Sequence, residues 1–506
     1  MFTKATKVTK VKPRSTSTRI KSYNGGMPHQ KLKIGLCSIP CYGHAKPLIL
    51  FGEQLVEAGH EVSFFTSLTM IKYCKEICRN PRVVFIGLED GLQPESDDFF
   101  LGKPAHVKTH PVWYARDCMK YVLVDAIQRM EHRLDVLVSD HLTWAGSFAA
   151  KELSIPHVGH VTWPLHILEE TGLIVPSSSA VALRILWHTL RGSKWVPKWA
   201  HPHGPPRALL TGVQDHLEGG LVLVASSFGL DVPRPLPPLV KLIGRGGKLE
   251  TVEGLQGDPE LKAFLDKNND IVLVTFGSRV PPSKEQVVAV AHALLAGGWA
   301  VVWTCKIVQQ GYLPEAARSS DRFFVRAWLP QAATLAHPNI RAAITHCGMG
   351  GLWECASNGV PIVPLPFLLS ADQPVNARAA VKAGFAAMPS RQGEGIGSGL
   401  WDWLCGVLGG QPNVTAEALR EAVWRALYEP DLREGAKRIQ AAVLSARHGQ
   451  TGVLALEAVS FYGIDHLRCP KEALSDTPWG TKGSILMGAA AVGAAALLVQ
   501  SHFRAR

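Results

Sequence analysis

The sequence lacks the residue patterns of most metal and disulfide sites. Its ten cysteines are spread over 506 residues, with no CxxC pair and no HExxH motif. Two pairs have CxxxC spacing, but neither lies near a matching His or Cys pair. These absences exclude the dense disulfide framework of small secreted domains and argue against a structural metal ion.

Negative charge is absent at the N terminus, and net charge is small everywhere else. Residues 1–33 hold nine Lys or Arg and no Asp or Glu, out of a net charge of +11 for the whole chain. The rest of the chain therefore has a net charge of only +2. Such a surface has no broad basic field for a polyanion, so we expect no nucleic-acid binding.

The N-terminal residues lack the apolar core of a secretory signal, and an apolar run lies near the other end of the sequence. The leader, residues 1–30, is basic and rich in hydroxyl groups, which is typical of an organelle transit peptide or of a disordered tail. Residues 484–500 are apolar, but a helix of roughly 16 residues spans about 24 Å, less than the ~30 Å of a hydrocarbon core. They form either a membrane anchor or a peripheral or buried helix. We expect a cytoplasmic protein or one on the cytosolic face of a membrane, with organelle targeting by the leader as the alternative.

What is present is one structural plan used twice. Residues 31–37 have strand character, LILFGEQLVEAG has helical spacing, and HEVSFFTS indicates another strand. The same order recurs after Asn269. Each copy is a right-handed βαβ unit, so the sequence predicts an α/β protein with two doubly wound, Rossmann-like domains. Ligands bind beyond the carboxyl ends of such strands, and a cleft between two facing domains has room for two substrates.

The chain is divided accordingly. With 46% hydrophobic residues in 506, it is long enough for two or three domains. The predicted segments are the leader 1–30, a first domain 31–245, a linker 246–268 rich in glycine and charge, a second domain 269–450, a C-terminal segment 451–480 and the apolar tail 484–500.

A glycine-rich loop follows a strand of the second half. Residues 342–345 have strand character, Gly348, Gly350 and Gly351 form the turn, and LWECASNG indicates a helix. A helix start with small residues presents free N–H groups and a positive dipole end, worth about 0.3–1 kcal/mol each to an anion. The expected ligand is a phosphate, although a glycine turn that serves only packing has the same pattern.

Residues on either side of the loop favour the phosphate. His346 opens the loop and can donate to a phosphate oxygen, and Glu354 follows inside the helix. The WLPQ motif at residues 328–331 offers an aromatic face for a base, and an Asp-Gln pair at residues 372–373 follows the next predicted strand. Together these residues favour a phosphate ligand over a turn that serves only packing.

Residues 328–376 resemble the donor-binding signature of the family-one UDP-dependent glycosyltransferases, and the similarity extends over about residues 31–465. The family has the GT-B fold, which implies an acceptor-binding first domain, a UDP-sugar-binding second domain and a final helix that crosses back to the first. By position, the resemblance implies Trp328 on uracil, Gln331 beside the nucleoside, Glu354 on the ribose, His346 with Gly348, Gly350 and Gly351 on the diphosphate, Ser278 near the phosphates, and Asp372 with Gln373 on the sugar.

The loop departs from the family pattern. Met349, Gly350 and Gly351 stand where many members have Trp-Asn-Ser, so backbone N–H groups and His346 must hold the phosphate. The stretch before Asp372 is also longer than the common form, which leaves the sugar open, with glucose expected. Ser278 is alternatively an ordinary turn serine.

Two residues of the first half are candidates for the chemistry. His44 is predicted to lie in the loop after the first strand, followed by Pro47 and a helix. Its Gly-His-x-x-Pro context resembles the one that in the family holds the base that takes the proton of the acceptor hydroxyl. Histidine suits that task near neutral pH, and a buried carboxylate would orient it. Asp140, at the end of the apolar strand DVLVSD, is the predicted partner, with His141 as a substitute. The alternative role for Asp140 is a helix cap.

The predicted reaction uses no metal. No DxD motif stands in suitable surroundings, so the glycine loop, the helix dipole and His346 are expected to stabilise the charge of the departing diphosphate. We expect a single displacement with inversion at the anomeric carbon, no cofactor, and UDP-sugar as co-substrate.

The acceptor is less well defined. Residues 182–206 carry tryptophans and basic residues, which suit an apolar molecule, a membrane surface or an ordinary packed loop. We expect a small lipophilic hydroxyl compound such as a sterol, a lipid or a polyphenol. Two other functions fit the same fold: a lipid-linked-sugar transferase or sugar-nucleotide epimerase, and an inactive subunit that binds UDP-sugar or lipid.

Overall fold

The computed structural model describes most of the chain. The described residues are 31–92, 111–165, 168, 213, 215–217, 219–247, 249–277, 282–366, 372–390, 414–447 and 450–468. The leader, the apolar tail, residues 182–206 and Ser278 lie outside them, so what the sequence predicts there stays a prediction. Among the helices in these ranges, none has the length and hydropathy needed to cross a membrane.

The first half forms a sheet of seven parallel strands. They are β1 (Lys33–Cys37), β2 (Glu61–Ser67), β3 (Val83–Leu88), β4 (Val136–Asp140), β5 (His157–Val161), β6 (Leu221–Val224) and β7 (Val240–Leu242). Their order across the sheet is β3-β2-β1-β4-β5-β6-β7. Between them lie α1 (Tyr42–Glu57), a short 3₁₀ helix (Leu68–Met70), α2 (Ile71–Ile77), α3 (Pro111–Gln128) and α4 (Trp144–Glu152).

The second half forms a smaller parallel sheet of five strands. They are β8 (Ile271–Thr275), β9 (Val301–Thr304), β10 (Phe323–Arg326), β11 (Ile340–Thr345) and β12 (Ile362–Pro364), in the order β10-β9-β8-β11-β12. The accompanying helices are α5 (Pro259–Lys267), α6 (Lys284–Gly297), α7 (Ile307–Gln310), α8 (Glu315–Arg318), α9 (Gln331–Leu335), α10 (Met349–Ser357), α11 (Gln373–Lys382), α12 (Ala416–Tyr428) and α13 (Pro430–Arg447). A 3₁₀ helix (Val252–Leu255) and α5 lie within the segment predicted as a linker.

Each sheet is buried on both faces, which explains its nearly continuous apolar strands. In the first sheet, Leu36 packs with Phe51 on one face, and Leu137 packs with Phe65 in a separate cluster. The second sheet likewise has one cluster around Leu273 and another around Val272. This is the doubly wound α/β architecture that the duplicated sequence plan predicts.

Each strand order contains one switch point, a pair of neighbouring strands from which the chain connections run towards opposite edges of the sheet. In the first sheet it lies between β1 and β4, with Cys37 in register with Ser139. In the second it lies between β8 and β11, with Thr275 beside Thr345. Ligands of open α/β sheets bind beyond the strand ends at such points. The loops after these four strands are therefore the places to look for function.

The last α-helix among the described residues packs on the first sheet rather than the second. In α14 (Thr451–Tyr462), Val453, Leu456 and Val459 join the cluster that contains Leu36. Gly452 permits close approach, because a Cβ there would lie 2.8 Å from the ring of Phe51. His60 Nε2 also lies 3.0 Å from a carboxylate oxygen of Glu457. A final 3₁₀ helix (Asp465–Leu467) follows α14.

Candidate active site

The first switch point brings together His44 and Asp140, which are 96 residues apart in sequence. The Nδ1 atom of His44 lies 2.9 Å from both carboxylate oxygens of Asp140. Asp140 is the last residue of β4 and is fully buried. His44 lies in the first turn of α1, so the sequence placed it wrongly in a loop before the helix, and Pro47 lies inside the helix as well.

The contact defines the roles of the two imidazole nitrogens. When Nδ1–H donates to the carboxylate, the lone pair of the neutral ring is on Nε2. Burial raises the pKa of Asp140, but the charges and hydrogen bonds of His44 and His141 outweigh it and hold that pKa well below its usual range. Asp140 is thus an anion beside an imidazole, the arrangement that orients a general base.

Asp140 is not the cap of the following helix. The cap residue of α4 is Thr143, whose Oγ1 accepts a hydrogen bond from Ile39 N at 2.8 Å. That bond ties the loop after β1 to the loop after β4. Besides contacting His44, the Asp140 carboxylate accepts a hydrogen bond from Leu142 N at 3.0 Å, within the turn that follows β4. Both loops are therefore fixed around the His44 contact.

His141 adds a second imidazole to this group. Its Nδ1 lies 3.1 Å from the Asp140 carboxylate, and its ring packs edge-on to Trp163 with centroids 4.3 Å apart. Burial lowers the pKa of His141, against the opposing effect of Asp140. Within the described part of the chain, His44, Asp140 and His141 are the one group close enough to hold a metal ion. Their separations of 2.9 and 3.1 Å are also those of ordinary hydrogen bonds.

The second switch point carries the glycine loop. It leads from Thr345, at the end of β11, to Gly348, the cap residue of α10. Cys347, in the middle, has a φ of +63°, a left-handed conformation that costs a non-glycine residue energy and marks a tightly constrained turn. Asn376 holds the turn in place, because its Nδ2 donates to Cys347 O at 2.9 Å.

His346 lies between two glycines at the start of this loop. A Cβ at Gly348 would lie 2.5 Å from its Nε2, and a Cβ at Gly277 would lie 2.7 Å from the ring. Both glycines therefore make room for the imidazole. Burial lowers the pKa of His346 to about 4, although Asp372 and a backbone hydrogen bond to Thr275 oppose the shift. Without a bound anion the ring is therefore neutral near pH 7, and an N–H of the ring can donate a hydrogen bond to a phosphate oxygen.

Glu354 joins the two halves of the protein. One of its carboxylate oxygens accepts from Lys46 Nζ at 2.9 Å, and the other accepts from Gln331 Nε2 at 2.8 Å. Thr275 Oγ1 in turn donates to Gln331 Oε1 at 2.6 Å. Burial raises the pKa of Glu354, but Lys46 and Arg245 more than reverse this, and the group is charged.

The remaining donor-site candidates that the structure describes are Trp328, Asp372 and Gln373. Trp328 is 74% exposed, so its indole is open to a ligand. Asp372 directly precedes α11, and Gln373 is the first residue of that helix and is buried. Asn376 Nδ2 lies 3.4 Å from the Asp372 carboxylate, which links this pair to the glycine loop. Ser278 lies outside the described residues.

Sequence reasoning missed two cations in this region. Lys46, two residues after His44, reaches Glu354 in the other half. Arg245, directly after Gly244 at the end of the first half, donates from Nη1 to Gly350 O at 3.1 Å. In the sequence, Lys46 lies within the Gly-His-x-x-Pro motif. No local sequence pattern shows that Lys46 contacts Glu354 or that Arg245 contacts Gly350.

A family match covers the end of the first half and much of the second half. Residues 211–393 match the family model described as "UDP-glucoronosyl and UDP-glucosyl transferase". The match covers less than half of the chain. The resemblance to the family-one UDP-dependent glycosyltransferases is thereby confirmed.

Curated relatives agree with this match. The chain is 36% identical to mouse UDP-glucuronosyltransferase 3A2 over 165 residues, which are 32% of this chain and 30% of the mouse protein. It is 24% identical over 379 residues to a flavonoid 3-O-glucosyltransferase of Medicago truncatula, covering 68% of this chain and 81% of that protein. The matched part thus spans about a third of the mouse relative's length, and the similarity over the longer range is weaker.

Solved structures extend the agreement to the whole fold. Os79 from O. sativa in complex with UDP matches with a TM-score of 0.62 and 18% identity, over 84% of this chain and 99% of that one. UDP-glucose: anthocyanidin 3-O-glucosyltransferase in complex with UDP matches with a TM-score of 0.60 and 19% identity, over 85% of this chain and all of that one. The predicted GT-B, α/β fold is therefore confirmed.

Proposed function

We propose that the protein transfers a hexose, with glucose expected, from a UDP-sugar to a hydroxyl group of a small lipophilic acceptor. The observation that carries the proposal is the pairing of His44 with the buried Asp140 at one switch point, in a chain whose other switch point carries the glycine loop. The family match and the UDP bound in the matching solved structures support the donor.

His44 is the base in this reaction. Its Nε2 takes the proton of the acceptor hydroxyl as the oxygen attacks the anomeric carbon, and the bond from that carbon to the β-phosphate oxygen breaks. The pair of electrons leaves with UDP, and the proton stays on an imidazolium that Asp140 stabilises. Proton transfer of this kind contributes about 10²–10⁴-fold in rate. Attack opposite the leaving group gives inversion.

The donor lies across the second switch point. Trp328 stacks on the uracil, Gln331 lies beside the nucleoside, and Glu354 accepts from the ribose hydroxyls. Backbone N–H groups at Gly348, Gly350 and Gly351 hold the diphosphate together with His346. These groups stabilise the charge that develops on the leaving group without a metal ion. Transfer should therefore persist in a chelator.

A screen of donors and acceptors tests the proposal. UDP-glucose, UDP-glucuronic acid and UDP-galactose are each incubated with mixed lipophilic alcohols and phenols, with and without EDTA, and products are read by mass spectrometry. A mass increase of one hexose on a lipophilic acceptor supports the proposal. A protein that binds UDP but forms no product with any pair is an inactive binding subunit, and the catalytic proposal then fails.

A further inference from the structure

A buried arginine of the first half lies against the glycine loop of the second. Arg245 is 6% exposed, and its Nη1 donates to the carbonyl oxygen of Gly350 at 3.1 Å. A guanidinium has five N–H groups to donate. Among the described residues, this carbonyl is the one hydrogen-bond acceptor that Arg245 has, and it forms no ion pair with a carboxylate there.

The neighbouring cation is used differently. Lys46 Nζ lies 2.9 Å from the Glu354 carboxylate and forms an ion pair with it. Lys46, Arg245 and Glu354 together have a net charge of +1 at neutral pH. Burial lowers the pKa of Arg245, with the charge of Glu354 opposing the shift, yet an arginine stays charged in proteins. An excess positive charge is therefore held beside the loop, which is costly unless an anion binds there.

Arg245 also fills the space beside a glycine that departs from the family pattern. A Cβ at Gly350 would lie 3.4 Å from Nη1 and 3.6 Å from Nη2 of Arg245. The resemblance of residues 328–376 to the family signature implies that Gly350 stands where many members have the asparagine of Trp-Asn-Ser. A longer side chain at this position would extend towards the space that the guanidinium occupies. The arginine thus supplies N–H donors where the loop has lost an amide.

The turn that carries Arg245 is tightly fixed. A Cβ at Gly246 would lie 2.8 Å from Gln54, and one at Gly247, with a φ of +88°, would lie 2.5 Å from Leu50. Both contacts are with α1, the helix that begins with the His44 turn. The glycines hold the turn against α1, so the position of the guanidinium is set by the scaffold rather than by its own flexible stem.

We infer that Arg245 binds the diphosphate of the donor and replaces the side-chain contacts missing from the glycine loop. The inference rests on the proposed function, since it assigns one more contact to the same UDP site. A planar guanidinium can give two parallel hydrogen bonds to phosphate oxygens. The contact also joins the first half of the protein to a ligand held mainly by the second.

Binding of UDP and of uridine separates a phosphate contact from a structural one. Both ligands are titrated calorimetrically into the wild type and into Arg245→Met. We expect the variant to bind UDP about 10- to 100-fold more weakly, as for the loss of hydrogen bonds to a charged group, and to bind uridine within about 2-fold of the wild type. Arg245→Lys keeps the positive charge but lacks the paired N–H donors of the guanidinium, so it should give an intermediate UDP affinity.

Two further variants serve as controls. Arg82 also donates from Nη2 to a backbone carbonyl, that of Val56 at 3.2 Å near the end of α1, and Arg82→Met should leave both affinities unchanged. Trp328→Ala should weaken UDP and uridine by the same factor, because stacking on uracil involves no phosphate.

The outcomes are distinguishable. If Arg245→Met and Arg245→Lys bind UDP as the wild type does, or lose UDP and uridine equally, Arg245 has a structural role and the inference is wrong. If the wild type binds neither ligand, the proposed function fails, and the inference fails with it.

Discussion

The Nδ1 atom of His44 lies 2.9 Å from each carboxylate oxygen of Asp140. Asp140→Asn should lower kcat by about 10²–10⁴-fold, a range set by general-base catalysis. An amide can donate to Nδ1 and so stabilise the tautomer whose Nε2 carries the proton and cannot act as a base. Its oxygen can still accept from Leu142 N, so the turn is kept. Steady-state kinetics give kcat, and a UDP titration should show an unchanged Kd. A variant with wild-type kcat would remove Asp140 from the mechanism.

His346→Ala should weaken UDP binding by about 2- to 10-fold, the size of one neutral hydrogen bond. The effect is small because His346 is neutral near pH 7, its pKa being lowered to about 4 mainly by burial. His346→Gln keeps an N–H donor and should retain more affinity than the alanine variant. Calorimetry measures the Kd, and a thermal melt checks the fold. Equal UDP affinity in all three proteins would show that His346 only fills the space between Gly277 and Gly348.

Stability should depend on pH through buried histidines of the first sheet. Burial lowers the pKa of both His157 and His160 from 6.5 to about 4. Between pH 6.5 and about 4 the unfolded chain therefore binds more protons than the folded one, and the free energy of unfolding falls as the pH falls. Above pH 6.5 both rings are neutral in either state, and this dependence disappears.

His160→Leu tests that relationship. Neither ring nitrogen of His160 has a hydrogen-bond partner among the described residues, and the side chain is fully buried. Leucine of similar size should reduce the loss of stability between pH 7 and pH 4.5 by about 2–3 kcal/mol, since each pKa unit is worth about 1.4 kcal/mol. Urea unfolding at both pH values measures it. The account of His160 is wrong if the variant shows the wild-type pH dependence.

Gly435→Ala should destabilise the protein although alanine favours helices. Gly435 lies inside α13, and a Cβ there would lie 1.7 Å from the carbonyl oxygen of Gly384. Backbone cannot move aside cheaply, so we expect a loss of about 1–3 kcal/mol or more, as for overpacked cores. In Gly43→Ala, where no atom lies within 4 Å of the added Cβ, no loss is expected. Denaturant midpoints compare the two, and equal midpoints would contradict the packing argument.

Sequence reasoning anticipated the fold because its signals are local. Apolar runs of strand length, helical spacing and closing glycines such as Gly59 and Gly298 recur in both halves, and both glycines have positive φ. The sequence also predicted the pairing of His44 with Asp140, because His44 follows the first strand, Asp140 ends another apolar strand, and the family resemblance implies a base and its acidic partner at these positions. The donor-binding residues were predicted from their match to the family motifs, and their roles stay predictions.

The contacts between the halves could not be predicted. Arg245 is 105 residues from Gly350, and Lys46 is 308 residues from Glu354. Whether such residues meet depends on how the two domains dock, and no periodicity or spacing encodes that. The capping role suggested for Asp140 was wrong for a different reason: the chain makes an extra turn before α4 starts, so Thr143 is the cap residue.

The most direct test of the central claim compares the wild type with His44→Ala in one assay. UDP release from UDP-glucose is followed with an accepted lipophilic alcohol or phenol, and UDP binding is measured in parallel. We predict that the wild type turns over, and that the variant binds UDP with the same Kd but loses about 10²–10⁴-fold in kcat. Undiminished turnover in His44→Ala, with product confirmed by mass spectrometry, would contradict the account.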